Sequence, residues 1–127
     1  MLDLPIKDAM STKITMAEKS ENLNATIQKM AIANIGAVII VENEKPIGIF
    51  TERDLLKRVV AKNITVKKVT IGQVMTPKII SVTPDTKMSE VLKKMYTNAM
   101  RHMVIMENDK LIGIFSLRNL LRKLITE

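Results

Sequence analysis

The sequence contains no cysteine and only one histidine, His102, and these absences exclude two kinds of site. Without thiols there can be neither a disulfide framework nor a thiolate metal site, and one imidazole is too few for a histidine-based zinc site. The sequence also lacks an uncharged apolar run of about 18 residues and an N-terminal apolar segment with a cleavage site. We therefore expect a cytoplasmic protein with no metal site and no membrane contact.

Aromatic side chains make up only 2% of the chain, whereas basic ones are abundant. The 20 Lys and Arg exceed the 13 Asp and Glu, and the net charge of +7 attracts polyanions such as nucleotides, nucleic acid or an acidic protein surface. The basic residues are dispersed, and few rings are present on which bases could stack. The composition favours solvated basic helix faces but leaves a nucleic-acid-binding protein as an alternative function.

What the chain does have is an internal repeat. The stretch GIFTERDLL, Gly48–Leu56, returns as GIFSLRNLL, Gly113–Leu121, at an offset of 65 residues (113 − 48 = 65). The same offset relates Ile6 to Ile71, Met10 to Met75 and Met30 to Met95. A fixed period of this length indicates a tandem duplication. We predict two repeats, residues 5–61 and 70–126, joined by residues 62–69.

Apolar periodicity predicts the same order of elements in both repeats. A short β-prone piece, residues 14–16 or 79–82, precedes a polar stretch, and apolar residues three and four apart then indicate a helix. Two β-prone runs around a charged turn, at residues 42–45 or 107–110, follow, and a leucine-rich helix closes the repeat. A β-α-β-β-α unit of about 60 residues is marginal on its own. We therefore predict an α+β fold in which two such units pack sheet to sheet with pseudo-twofold symmetry.

The repeated motif places a hydroxyl and a short polar side chain at the start of each closing helix. Thr51 and Ser116 are suited to be N-caps, and Asp54 and Asn119 fall at the position of the reciprocal partner in a capping box. That position prefers the longer Glu or Gln. We therefore expect Asp54 and Asn119 to reach back poorly and to have a further purpose.

The glycines of the motif, Gly48 and Gly113, are not explained by capping. A glycine within a strand pattern marks a bulge or the close approach of another group to the backbone. A glycine, a hydroxyl at a helix N-terminus and a carboxylate one turn on would suit a ligand that carries both a polyol and an anion. The carboxylate would accept from a ribose diol, while the hydroxyl and the free amides would face phosphate.

The two motifs, together with IKDAM at residues 6–10 and IGQVMTP at residues 71–77, resemble a tandem pair of cystathionine-β-synthase (CBS) domains. The resemblance extends over about residues 5–126 and therefore implies a pair without a fused enzyme or channel. It implies a regulatory module that needs no obligatory cofactor. Such a module binds AMP, ADP, ATP or S-adenosylmethionine in two clefts between the units and acts on a partner protein, whose identity the sequence does not give.

The resemblance also assigns residues to the two clefts. Thr51 and Asp54 would line one cleft and Ser116 and Asn119 the other, with Asp54 on the ribose hydroxyls. Adenine would lie near Ile14 or Ile80, and phosphate would meet Arg101 and His102 in the Asp54 cleft. The positions that correspond to these two basic residues in the first repeat are Gly36 and Ala37, so the clefts are expected to be unequal. Arg53 and Arg118 are interpreted either as solvated charges or as phosphate contacts.

Two further expectations concern activity and assembly. The sequence has no Walker-type loop, no paired catalytic carboxylates and no nucleophile elbow, so we do not expect an enzyme. The closing helices, LLKRVV and LLRKLI, carry apolar stripes that the sheets leave uncovered, and we therefore predict a homodimer joined through them.

Overall fold

The computed structural model describes residues 1–126 and divides into two compact units. One unit, called here the mid-chain unit, runs from Thr15 to Ile79. The other, the terminal unit, combines Met1–Ile14 with the chain from Ile80 onward. The compact units therefore differ from the sequence repeats. The opening segment of each repeat, residues 5–14 in the first and 70–79 in the second, folds with the body of the other repeat.

The mid-chain unit contains one three-stranded sheet, two α-helices, a π-helix and a 3₁₀ turn. In chain order its elements are β1 (Met16–Glu18), α1 (Leu23–Ala33), β2 (Ala37–Glu42), β3 (Lys45–Thr51), α2 (Glu52–Asp54), a π-helix (Leu55–Val60) that continues α2, and a 3₁₀ turn (Ile71–Gln73). The strand order is β1-β2-β3, with β1 parallel and β3 antiparallel to β2. Val38, Ile40 and Phe50 of this sheet are fully buried.

The terminal unit repeats this arrangement. Its elements are a 3₁₀ turn (Ile6–Asp8), β4 (Ser81–Val82), α3 (Met88–Thr97), β5 (His102–Glu107), β6 (Lys110–Ser116) and α4 (Leu117–Thr126). The strand order is β4-β5-β6, again with one parallel and one antiparallel pair. Met103, Ile105 and Phe115 are fully buried in its core.

Local chemistry accounts for the hairpins of both sheets. The two turn residues between β2 and β3, Asn43 and Glu44, have φ of 50° and 67°, and those between β5 and β6, Asn108 and Asp109, have φ of 52° and 63°. Positive φ at both central residues is the geometry that matches the twist of paired strands, and Asn and Asp adopt it at low cost. The predicted turns at residues 42–45 and 107–110 are therefore confirmed.

The order β-α-β-β-α is confirmed in both repeats, but the opening strands differ from the prediction. The piece predicted at residues 14–16 forms a strand at Met16–Glu18, and the piece predicted at residues 79–82 pairs only at Ser81–Val82. The pairing partners on the central strands begin at Ile39 and Val104. The apolar residues just before β1 and β4, such as Ile14 and Ile80, are not part of these ladders, and apolar patterning alone does not distinguish them from strand residues.

The closing helix of the first repeat also differs from a regular α-helix. After the three α-helical residues of α2, the chain widens into six residues of π-helix, and the amide of Ala61 donates to the carbonyl of Leu56 at 2.9 Å. The corresponding element of the second repeat, α4, is α-helical over ten residues. Short π-helical segments occur mostly inside α-helices and often at functional sites.

Candidate functional site

The N-terminus of α2 is held by a reciprocal capping box. The hydroxyl of Thr51 accepts from the amide of Asp54 at 3.3 Å, and Asp54 Oδ2 accepts from the amide of Thr51 at 2.9 Å. The same Oδ2 also accepts from the Thr51 hydroxyl at 3.2 Å. The expectation that a short Asp would reach back poorly is therefore wrong. With Thr51 in extended backbone, its amide lies close enough for the shorter carboxylate.

The second carboxylate oxygen of Asp54 binds two groups that the sequence analysis did not identify. Asp54 Oδ1 accepts from the Thr76 hydroxyl at 2.8 Å and lies 3.4 Å from Arg58 Nε. Arg58 also donates from Nη1 to the carbonyl of Met75 at 3.0 Å. The carboxylate is almost completely buried, with 12% of the side chain exposed. Asp54 thus joins the closing helix of the first repeat to the opening segment of the second.

The sequence contains patterns that could have identified Thr76 and Arg58. Thr76 corresponds to Ser11 at the 65-residue offset, so a hydroxyl follows the repeated methionine in each repeat. Arg58 lies four positions after Asp54, the spacing at which oppositely charged side chains meet on a helix. What the sequence did not reveal is that residues 71–76 fold against the sheet of the preceding repeat.

The same cap recurs at the start of α4 in the terminal unit. The Asn119 Oδ1 atom accepts from the amide of Ser116 at 2.8 Å and from its hydroxyl at 3.1 Å, and the Asn119 amide donates to the Ser116 hydroxyl at 3.2 Å. These bonds match the Thr51–Asp54 bonds one for one. An amide side chain has one acceptor oxygen, however, so the remaining polar atom of Asn119 is a donor where Asp54 has a second acceptor.

Beyond this cap the two units differ. Ser11, at the position of Thr76, donates its hydroxyl to the carbonyl of Lys13 at 3.5 Å. Lys123, at the position of Arg58, lies on a cavity of about 240 Å³ between α4 and the opening segment. The cavity is lined by Asp8, Ala9, Met10, Asn119, Arg122, Lys123 and Thr126. The terminal unit therefore has open space at the place where Arg58 bridges α2 and the opening segment in the mid-chain unit.

Gly48 and Gly113 allow the opening segments to approach the sheets. A Cβ on Gly48 would lie 2.5 Å from Met75 Sδ and 2.7 Å from the Thr76 carbonyl oxygen, and one on Gly113 would overlap the side chain of Met10. Both glycines also lie beside a shift of the strand register. The prediction of a bulge and a close approach is confirmed, and in both units the approaching group is the opening segment.

The other predicted site residues lie in several places. His102 is directly opposite Ser116 in the β5–β6 pair, and the Arg101 carbonyl accepts from the amide of Leu117 at 3.4 Å. These two basic residues are thus neighbours of the Ser116 cap within the terminal unit. Their predicted action on a ligand held by Asp54, which lies in the other unit, stays a prediction.

The remaining candidates lie before the opening strands and in the first turns of the closing helices. Ile14 and Ile80 are half-buried in the segments before the opening strands, and Ile80 packs against the core of the terminal unit. Arg53 and Arg118 are exposed in the first turns of their helices. The roles predicted for these four residues stay predictions.

Two kinds of feature are absent from the described part of the chain. Within residues 1–126, no group of three or more His, Asp and Glu side chains is placed to hold a metal ion. No helix in the described part of the chain combines the length and the apolar character that crossing a bilayer requires.

The fold and its repeated cap define a tandem β-α-β-β-α protein, and comparison with known families gives that class a name. The model of the CBS domain family matches residues 6–61 and 71–126, and the chain belongs to this family. The resemblance noted in the sequence and the predicted fold class are both confirmed.

Individual relatives cover most of the chain. Protein YlbB of Bacillus subtilis is 36% identical over 118 residues, which are 91% of this chain and 78% of that protein. The mitochondrial CBS domain-containing protein CBSX3 of Arabidopsis thaliana is 29% identical over 96% of this chain, but the match spans 65% of that relative's length. A conserved protein of Pyrococcus horikoshii has a crystal structure that superposes with a TM-score of 0.92 at 27% identity, covering 97% of this chain and 93% of that one.

Proposed function

We propose that the chain is a non-enzymatic regulatory module that binds an adenosine-containing ligand, such as AMP, ADP, ATP or S-adenosylmethionine, and passes its ligand state to a partner protein. Membership of the CBS domain family supports the coarser part of this proposal, because such pairs are generally regulatory and often bind ligands. The observation that carries the finer part is the buried carboxylate of Asp54 at the start of the helix that follows β3.

The chemistry of this position suits a ribose. A carboxylate offers about four acceptor directions and no donor, so it pairs well with a vicinal diol, which offers two donors. Hydrogen bonds to a charged acceptor are about twice as strong as neutral ones, and burial protects them from competing water. The capping box fixes the direction of the carboxylate before a ligand arrives. Asn119 offers a weaker version of the same site, since its amide is uncharged.

We also propose contacts for the phosphate and the adenine of such a ligand. Arg101 and His102 would pair with phosphate, because the N–H groups of a guanidinium and of an imidazole can both donate to an anion. Ile14 and Ile80 would supply apolar contacts for adenine. Arg53 and Arg118 remain either phosphate contacts or solvated charges.

We further propose that the chain forms a homodimer through the closing helices. Leu56 and Val60 of the π-helix are 61% and 59% exposed, and Leu121, Leu124 and Ile125 of α4 are more than half exposed. Apolar side chains grouped in this way mark interaction surfaces. Sedimentation at micromolar concentration should give about twice the 14.3 kDa mass of the chain, and a monomer would contradict the proposal.

Thermal unfolding with a panel of ligands tests the function. AMP, ADP, ATP, S-adenosylmethionine and short oligonucleotides would each be added to the wild type and to Asp54→Ala. A ligand that binds the folded state raises the melting temperature by mass action, by an amount that grows with its concentration over Kd. We expect at least one adenosine ligand to raise the melting temperature of the wild type and to raise that of Asp54→Ala less. A shift with oligonucleotides alone, falling steeply with salt, would instead indicate the nucleic-acid alternative.

A further inference from the structure

The carboxylate of Asp54 is fully engaged by groups of its own unit. Its Oδ2 accepts from the amide and hydroxyl of Thr51 at 2.9 and 3.2 Å, and its Oδ1 accepts from the Thr76 hydroxyl at 2.8 Å and faces Arg58 Nε at 3.4 Å. A carboxylate has about four acceptor directions. Three hydrogen-bond donors and the ion-paired Arg58 guanidinium already face this one, so a ligand hydroxyl reaches Oδ1 when one of these groups moves away.

The Thr76 hydroxyl is the donor that can leave most easily. The two Thr51 donors belong to the capping box, and their loss would break the half of the box that the Asp54 carboxylate forms. Thr76 is fixed independently of its hydroxyl, because its amide donates to the Ile49 carbonyl at 2.8 Å and its carbonyl accepts from the Ile49 amide at 2.9 Å. Rotation about one side-chain bond therefore removes the hydroxyl from Asp54 without moving the backbone.

We propose that Thr76 and Arg58 form a latch that occupies Asp54 in the ligand-free protein, and that a ligand hydroxyl binds Asp54 by displacing the hydroxyl of Thr76. This inference rests on the proposed function, since it concerns how the same site takes its ligand. The latch lowers the affinity for the ligand and links binding to the segment that leads into the second repeat. Arg58 is a positioning residue, because it holds Asp54 and the Met75 carbonyl together.

The terminal unit supplies an internal control. Ser11, the counterpart of Thr76, donates to the Lys13 carbonyl, and the Asn119 oxygen accepts from Ser116. No competition with a ligand is expected from Ser11, so its hydroxyl can be removed as a matched variant.

The test compares adenosine affinity, measured by calorimetry, for the wild type, Thr76→Val, Thr76→Ser and Ser11→Ala. Valine keeps the shape of threonine without its hydroxyl, and the loss of one competing hydrogen bond should tighten adenosine binding about fivefold. Thr76→Ser and Ser11→Ala should bind as the wild type does. In the absence of ligand, melting temperatures of Asp54→Asn, Thr76→Val and the double variant should be non-additive if the bond forms.

The adenosine affinity of Thr76→Val relative to the wild type decides whether the latch exists. Tighter binding by Thr76→Val, or binding by this variant alone, supports the latch. Weaker binding would make Thr76 a ligand contact, and unchanged binding would remove its competition with the ligand; either result overturns the latch and leaves the proposed function intact. If neither the wild type nor Thr76→Val binds adenosine, AMP, ADP, ATP or S-adenosylmethionine, the proposed function falls, and the displacement step falls with it.

Discussion

The mid-chain and terminal units have the same sheet topology and the same helix cap, but Asp54 and Asn119, the polar residues of the two caps, have different contacts outside the cap. In the mid-chain unit Asp54 is bound both by its cap and by the opening segment, through Thr76. In the terminal unit Asn119 is bound by its cap, and a cavity separates α4 from the opening segment. The helix cap is the part of the motif that stabilises the fold, because it forms with Asp54 in one unit and with Asn119 in the other. The charge of Asp54 and its contacts outside the cap are what make the first repeat different.

The largest expected effect is on nucleotide affinity when the two capped residues are removed. Asp54→Ala should weaken AMP binding about 10- to 100-fold, because hydrogen bonds to a charged acceptor contribute about 1.5–3 kcal/mol. Asn119→Ala should weaken it less than about fivefold. Calorimetric titration measures both, and Asp54→Asn serves as the control that gives the first repeat the residue of the second. Equal losses in the two alanine variants would contradict the difference between the units.

The two glycines should differ in their tolerance of a methyl group. Gly48→Ala should lower the free energy of unfolding by about 2 kcal/mol, because the new Cβ meets the backbone oxygen of Thr76, which two backbone hydrogen bonds with Ile49 hold in place. Gly113→Ala should cost less than about 1 kcal/mol, since the Cβ meets only the flexible side chain of Met10. Urea unfolding of both variants gives the comparison. A greater loss at Gly113 would mean that the opening segment of the terminal unit is held more tightly than that of the mid-chain unit.

A smaller effect is expected at Arg101, the proposed phosphate contact. Arg101→Ala should weaken AMP about five- to tenfold and leave adenosine nearly unchanged, because adenosine carries no anion for the guanidinium to pair with. Titrations with the two ligands provide the test, and adenosine is the internal control. If both ligands lose equally, the Arg101 side chain supports the fold of the terminal unit and not the phosphate site.

The smallest difference is expected between the two caps. Thr51→Ala and Ser116→Ala should each lower the free energy of unfolding by about 1 kcal/mol, the usual effect of removing an N-cap hydroxyl. Since the cap is the part that the units share, the two losses should agree within about 0.5 kcal/mol. Thermal and urea unfolding measure them, with Thr51→Ser as a variant that keeps the hydroxyl. A much larger loss at Thr51 would show that the latch also depends on this hydroxyl.

The features that the sequence predicted are those that depend on neighbouring residues. Alternation and turn chemistry placed the hairpins at residues 42–45 and 107–110, and the hydroxyls identified the caps at Thr51 and Ser116. These features are decided within a few residues of the chain. The glycine prediction also succeeded, because a glycine inside a strand signals a close approach whatever the source of the approaching group.

The features that were missed depend on contacts between distant parts of the chain. Thr76 reaches Asp54 across 22 positions, because the opening segment of the second repeat folds on the sheet of the first. Repeat boundaries are drawn from similarity, which does not reveal that opening segments are exchanged. The π-helix at Leu55–Val60 was missed for a related reason, since its apolar pattern also fits the α-helix observed at α4.

Amide resonances followed by NMR during titration with AMP test the central claim most directly, because they report on each repeat separately. If Asp54 is the stronger site, the resonances of Thr51, Asp54 and Thr76 should change at lower AMP concentrations than those of Ser116 and Asn119. In Asp54→Asn this order should be lost. Simultaneous changes at both caps in the wild type, or an earlier change at Ser116 and Asn119, would contradict the claim that the charged carboxylate makes the first repeat the principal ligand site.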